Sequence, residues 1–489
     1  MSIRWQYSEV VTKTATPAPT VRNRVDSFFS ITQRGSNFGR EIRGGLVTFV
    51  AMAYIVILNP IILSGSADVD GNSLGFTQVA AVTALTSGIM TILFGLISRL
   101  PFAFAAGLGI NSFLAVSVVG QVSWPEAMGL VVINGLIIVL LSATNLRRLI
   151  FDAVPIQLKI AITVGIGLFI AFIGLVNAGF VTSTGFASPP VGLGVDGSVA
   201  TIPTVLFIFT LLLTGVLVAR KVRGALLIGI LVSTVIAVIV EAFAKLGSGV
   251  DNPGGWSLTI PVLPEQWVSL PDLSLIGAVS FGSFERIGAL AAMMLVFTLV
   301  FTNFFDAMGT MTGLSKEAGL ADEKGNFPSI KSALIVEGVG AVAGGVTSSS
   351  SNTVFIESGA GIGEGARTGF ANLVTGVLFL LAMFLTPLTT IVPSEVAAAV
   401  LVIVGAMMMA QIKDIVWTDF AVALPVFLTV VVMPLTFSIA NGIGAGFIAW
   451  VVLQAFSGKA RSVSPLLWIT ALGFAIYFAR GPVEALIGG

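Results

Sequence analysis

Apolar runs, most of them 16 to 24 residues long, recur from residue 44 to residue 457 of this 489-residue chain, and no other feature restricts its fold so far. At about 1.5 Å of helix rise per residue, each run matches the ~30 Å hydrocarbon layer of a bilayer. The runs do not alternate apolar with polar, so they do not read as strands of a transmembrane barrel. A soluble globule could not cover a surface drawn from a chain that is 56% hydrophobic and 10% charged, with a mean hydropathy of +1.02. The fold class is therefore an all-α polytopic membrane protein, with membrane lipid as an obligatory partner.

The spans read as 44–63, 79–98, 101–119, 126–144, 156–176, 203–219, 224–241, 288–312, 330–346, 347–363, 368–387, 392–410, 418–438 and 441–457, about fourteen in all. Lysine and arginine placement checks that count. With the N-terminus in the cytoplasm of a cell membrane, Arg99, Arg147, Arg148, Lys159, Arg220, Lys221, Arg223, Lys316, Lys324, Lys331, Arg367, Lys413, Lys459 and Arg461 fall on the same side. Lys245 and Arg286 fall on the other. One missed or extra helix would scramble this asymmetry for everything downstream. Residues 1–43 are polar, with "TATPAPT" as an unstructured stretch and no apolar core of a signal peptide; Glu9 and Asp26 argue against a transit peptide. The apolar piece at 466–478 is short for a crossing and reads as an interfacial or partly inserted helix.

The composition also excludes chemistry. The chain has no Cys and no His, so disulfides, thiolate catalysis, the usual proton shuttle and the commonest soft-metal ligand are all missing. Proton handling then falls to Asp and Glu. A net charge of zero from 24 basic and 24 acidic residues offers nothing to nucleic acid. Phosphate-loop, metal-cluster and nucleophile-elbow patterns are absent, so no enzyme, no metal site and no cofactor is expected.

Internal similarity points to two halves. "VPIQLKIAITVGIGLFIAFIG" (154–174) resembles "VPSEVAAAVLVIVGAMMMAQI" (392–412), and "FAAGLGIN" (104–111) resembles "FIESGAGI" (355–362). The members of each pair lie about seven spans apart, an odd separation that makes the halves inverted. The third and tenth spans carry closely spaced glycines at 107, 109, 359, 361 and 363, and the tenth adds Ser348 to Ser351, Asn352 and Thr353. Each such Gly costs a helix about 1 kcal/mol relative to Ala, so both segments are poor continuous helices. Unwound backbone persists at membrane depth only where protein or a water-filled cavity covers it, which places a binding site between the two.

Glu357 then belongs to that site; the alternative is a close-packed helix contact with Glu357 paired to Arg367. In the eighth span, "FTNFFDAMGTMTG" (301–313), Asp306 is an intramembrane acid with Asn303 three residues earlier and the hydroxyls of Thr302, Thr310 and Thr312 nearby. An acid at that depth is a functional candidate by default, a buried packing role being the alternative. Asn59 and Asn111 read equally as caps or ligand contacts. Glu337 lies within the ninth span, and Glu41 and Glu241 at span ends read as solvated or interfacial.

"GREIRGGLVTFVAMAYIVILNP" (39–60), "KIAITVGIGLFIAFIGLVNAG" (159–179), "FFDAMGTMTGLSKEAGL" (304–320), "FIESGAGIGEGARTG" (355–369) and "PVFLTVVVMPLTFSIANGIGAGF" (425–447) resemble the AzgA-like purine permeases of the nucleobase-ascorbate transporter superfamily. The resemblance implies about fourteen spans as two inverted repeats of seven, divided into a core and a gate domain. The division falls at 1–43 (cytoplasmic segment), 44–144 and 288–387 (core), 145–287 and 388–457 (gate) and 458–489 (C-terminal segment), with dimerisation through the gate. It implies uptake of adenine, guanine or hypoxanthine coupled to protons, with Glu357, Asp306, Asn303 and Asn111 at the binding positions; Thr353, Ser358 and Gly359 of the broken tenth span complete the expected substrate site. Two departures stand out: Asn303 where the family usually has Asp, and "AAG" with Ala106 where it has "APG". A purine is planar and edged with donors and acceptors, which a carboxylate, amides and an apolar wall can read. The alternatives are an anion carrier of the related sulfate/bicarbonate architecture, which two acids disfavour, and a membrane receptor that keeps the fold without turnover.

Overall fold

The computed structural model of the protein describes residues 24–144, 153–186, 188–195, 197–199, 201–321, 327 and 329–479. The "TATPAPT" stretch, Arg147, Arg148, Lys324 and the last ten residues of the C-terminal segment lie outside the described residues.

Helices dominate because long apolar runs in a bilayer must close every backbone bond internally. In chain order they are α1 (Phe38–Met52), α2 (Ile55–Ser64), α3 (Phe76–Ile97), α4 (Leu108–Phe113), α5 (Trp124–Ala143), α6 (Ile156–Asn177), α7 (Ile202–Ala219), α8 (Ala225–Ala244) and α9 (Ala289–Glu317). There follow α10 (Ile330–Val346), α11 (Ser358–Gly363), α12 (Phe370–Ala382), α13 (Ser394–Met409), α14 (Phe420–Leu435), α15 (Ile439–Gln454) and α16 (Pro465–Phe478). Polar residues mark the starts: the Asn37 side chain accepts from Arg40 N–H at 2.9 Å ahead of α1, and Ser123 with Glu126 forms a capping box on α5.

Among the described residues, ten helices are long and apolar enough to cross a membrane. The expectation of about fourteen crossings therefore depends on four segments without a helix of that length. Two of these, α10 and α14, are 17 and 16 residues long. The other two are broken. The third expected span is a strand, β1 (Phe104–Ala106), followed by α4 and a π-helical turn, Leu114–Val118. The tenth is a strand, β2 (Asn352–Val354), followed by α11. Glycine and hydroxyl-rich sequence breaks both at matching places.

Packing sorts the helices into two groups. In one, α5 lies against α10, α3 against α12, and α1 against α11 and α12. In the other, α6 lies against α13 and α14, α14 against α15, and α7 against α8 and α13. Glycine sets the closest crossings: a Cβ on Gly135 would lie 2.7 Å from the Gly338 carbonyl, and one on Gly167 2.7 Å from the Gly405 carbonyl. The two groups meet where α4 touches α6 and α9 touches α15. The short α16 lies against both α9 and α15, with the Phe474 ring 5.6 Å from Phe297 and 6.4 Å from Phe447.

Candidate functional site

β1 and β2 pair antiparallel in the register Phe104 to Val354, Ala105 to Thr353 and Ala106 to Asn352. Flanking bonds extend the ladder, from Gly107 N–H to Ser351 O at 2.9 Å and from Phe355 N–H to Ala103 O at 3.0 Å. The unwound backbone of each segment is thus satisfied largely by the other, which lets extended chain exist inside a membrane protein. The glycine at 107 faces the Thr353 methyl, 3.0 Å from where a Cβ would stand, so a larger residue would push the strands apart.

Beside this two-stranded crossing lies a cavity of about 190 Å³. That is below the ~300–1,000 Å³ of drug-sized pockets and suits a small ligand. The first broken segment supplies Gly107 to Ile110 and the second Thr353 to Glu357; α9 supplies Thr302, Asp306 and Thr310. The opposite wall comes from the other packing group, with Thr163 and Ile166 of α6 and Val404, Met407 and Met408 of α13, next to Gln411. Polar groups therefore project mainly from one wall, and the facing wall is largely apolar. An uncharged ring with a hydrogen-bonding edge meets both demands.

Glu357, Asp306 and Thr353 line the cavity together. Glu357 Oε1 accepts a hydrogen bond at 2.7 Å from the hydroxyl of Tyr54, which also lines the cavity. Its imagined pairing with Arg367 does not form: that guanidinium donates to the carbonyls of Ile362 and Ala366 at 2.6 and 2.7 Å. Glu41 is buried rather than interfacial and accepts from the Arg367 backbone N–H at 2.9 Å.

Asn303, Asn111, Asn59, Ser358 and Gly359, also singled out from sequence, stand outside the cavity lining. Asn303 is buried and donates through Nδ2 to Ser351 Oγ at 3.0 Å, tying α9 to the approach of β2. Asn111 donates to Asn59 Oδ1 at 2.6 Å, and Asn59 donates to Thr83 Oγ1 at 2.7 Å and to the Ser349 carbonyl at 3.1 Å. Ser358 Oγ donates to Phe355 O at 2.7 Å and accepts from Ala103 N–H at 3.0 Å. A Cβ on Gly359 would lie 2.8 Å from Glu317 Oε2. These groups hold the broken segments in place.

Sequence reasoning missed Tyr54, Thr163 and Gln411. Tyr54 had a signal, being one of three tyrosines in the chain and set within an apolar run. Among the described residues no group of His, Cys, Asp and Glu is arranged to hold a metal ion.

Comparison with known proteins places this geometry in a family. The chain is 38% identical over 457 residues to the guanine/hypoxanthine permease PbuG of Bacillus subtilis, covering 92% of this chain and 99% of that one. It is 34% identical over 456 residues to the adenine permease AdeP of Escherichia coli, covering 92% and 95%. Among solved structures, the transmembrane domain of a cyanobacterial bicarbonate transporter, BicA, superposes with a TM-score of 0.60 at 16% identity, over 84% of this chain and 97% of that domain. SLC26A9 superposes with a TM-score of 0.50 at 13% identity, over 86% and 65%. These two share the fold. The family model described as "Permease family" matches residues 39–445, and the chain, a multi-pass membrane protein, belongs to that family.

Proposed function

We propose that this chain is not an enzyme but a secondary active importer of purine nucleobases, with adenine, guanine and hypoxanthine as substrates and the proton as coupling ion. The observation that carries the reading is Glu357, held at 2.7 Å by Tyr54 on one wall of a small cavity that it shares with Asp306 and Thr353. A carboxylate accepting two N–H groups reads a purine edge, and the apolar wall of Ile166, Val404 and Met408 holds the ring face. Relatives named for guanine, hypoxanthine and adenine transport support the substrate class.

The two packing groups support alternating access. The core is 44–144 with 288–387, the gate is 145–287 with 388–457, and the cavity lies on their boundary because α6 and α13 form its far wall. Rocking one group against the other exposes the same residues to each side in turn. The protein sits in the cell membrane with its N-terminus in the cytoplasm and dimerises through the gate. Two acids around one cavity oppose an anionic substrate, so the bicarbonate chemistry of the solved neighbour does not transfer with the fold.

Reconstitution tests this directly. Proteoliposomes holding the purified chain are expected to take up radiolabelled hypoxanthine, guanine or adenine, faster with an inward proton gradient and no faster once a protonophore collapses it. Absence of uptake for all three bases would overturn the substrate class, and indifference to the gradient would overturn the coupling.

A further inference from the structure

The two strands of the crossing are closed on their outer edges by different chemistry. Phe104 and Val354 face each other in register, between the bonded pairs made by Gly107 with Ser351 and by Phe355 with Ala103. They form a non-hydrogen-bonded pair, so their own N–H and C=O groups point outward, away from the partner strand. Behind Phe104 stands Thr91 of α3, whose hydroxyl accepts from Phe104 N–H at 2.9 Å and donates to Phe104 O at 3.2 Å. Behind Val354 stands Glu337 of α10, whose Oε2 accepts from Val354 N–H at 3.3 Å. Glu337 is fully buried, with the Thr353 hydroxyl beside it and Asp306 as its charged neighbour. Thr353 and Val354 line the cavity; Glu337 does not touch it.

A hydroxyl both accepts and donates, which is how Thr91 closes both backbone groups of Phe104. A carboxylate can only accept, whereas a carboxylic acid does both. The equivalent edge in the other half is held by a neutral residue, so an ionisable group at 337 exceeds what holding a strand requires. We propose that Glu337 is a proton-binding carboxyl of the transport site. As the acid it can close both backbone groups of Val354, as Thr91 does for Phe104. As the carboxylate it holds the N–H alone and leaves the carbonyl free. The proton enters from water in the cavity past Thr353 and leaves the same way, so its presence is tied to the shape of the wall that meets the substrate. This inference rests on the proton-coupled reading above and moves the coupling group from the cavity surface to the layer behind it.

The groups around Glu337 leave room for this role. Of the elements packed against α10, α3 and β2 carry no titratable residue, and α5 carries Glu126, which is engaged with Ser123 and Arg286 at 2.9 and 2.8 Å. α9 carries Asp306, Lys316 and Glu317, and α10 itself carries Lys331 near its start. Of these, Asp306 is the acid whose charge acts on Glu337, and it lies in the cavity wall, so substrate and proton act on the same pair of acids.

The test uses the purified full-length chain and two variants. In Glu337→Gln the amide accepts and donates at once, mimicking the acid permanently; in Glu337→Leu the acceptor is gone. Hypoxanthine is titrated into weakly buffered protein while an indicator dye reads protons bound. Because linkage is reciprocal, the wild type should take up protons with the purine, and the yield should fall at least about twofold in Glu337→Gln. Affinity in Glu337→Leu should weaken about tenfold, the size of an unsatisfied buried N–H. Amide hydrogen exchange over residues 350–357, corrected for intrinsic rates, reads the strand without any purine. Its protection should depend on pH in the wild type, lose that dependence in Glu337→Gln, and drop at every pH in Glu337→Leu. Unchanged proton yield in Glu337→Gln, or pH-independent protection in the wild type, would overturn the proposal. A wild type that binds no purine while its strand protection follows pH through residue 337 would overturn the purine reading and leave this one standing.

Discussion

β1 with α4 and β2 with α11 have the same build: a strand of three residues, a break, then a helix of six. Their chemistry differs. Residues 104–110 offer the cavity backbone, Leu108 and Ile110, and no ionisable group. Residues 353–357 offer a hydroxyl and a carboxylate. The two arms make a symmetric frame in which each break is covered by the other, and the ionisable side chain in the cavity comes from one arm. The difference teaches that the frame can be tested on the first arm and the ligand chemistry on the second.

The largest effect is expected at Glu357. Replacing it by Gln keeps the shape but turns one acceptor into a donor, and a lost charged hydrogen bond is worth about 1.5–3 kcal/mol, roughly tenfold to a hundredfold in purine affinity. The matched change in the first arm, Ala106→Pro, should cost less than about threefold, because Ala106, opposite Asn352, has its N–H on the outer edge where no ladder bond is lost. Isothermal titration with hypoxanthine on both variants decides the matter: equal losses would mean that the arms share recognition. Tyr54→Phe comes next, at about tenfold, since it removes the donor that holds Glu357 Oε1 at 2.7 Å while leaving the ring.

Cysteine accessibility sharpens the same contrast at side-chain resolution, in a chain with no Cys of its own. Thr353→Cys lines the cavity and should be protected from a thiol reagent by bound purine. Ser358→Cys and Asn111→Cys stand behind the wall, bonded to Ala103 and Asn59 respectively, and their labelling rates should not change. Protection at 358 or 111 without protection at 353 would place the ligand on the other side of the crossing.

These positions show how far the sequence could be read. The apolar runs carried the helical architecture, because lipid leaves a backbone few options. Glycine and serine clusters located the broken segments, and burial cost pointed to Glu357 and Asp306. What failed to follow was the division of labour among the polar residues. Ser358, Asn111 and Asn303 have the right chemistry for a ligand, but unwound backbone and neighbouring helices need the same donors and acceptors, and here they take them. Tyr54 lies 303 residues from Glu357, a pairing that no local pattern encodes.

Asn303 gives the smallest expected change in affinity and the finest test of the contrast. Three helical residues turn about 300°, so Asn303 sits about 60° round α9 from Asp306. That offset is enough for Asp306 to line the cavity while Asn303 reaches Ser351 at 3.0 Å. In Asn303→Asp the carboxylate can only accept, but the Ser351 hydroxyl can turn and donate, so the tie from α9 to the β2 segment survives. Purine affinity should then stay within about threefold of the wild type, since the substituted side chain does not touch the cavity. The added acid nevertheless stands on the same helix as Asp306 and near it, and two interacting carboxyls titrate as a pair. Uptake in the Asp variant should therefore depend more steeply on pH than in the wild type across about pH 5 to 9. Superimposable profiles would show that position 303 is part of the frame alone. A loss of affinity well beyond threefold would instead bring Asn303 into the cavity and shift recognition from the second broken segment toward α9.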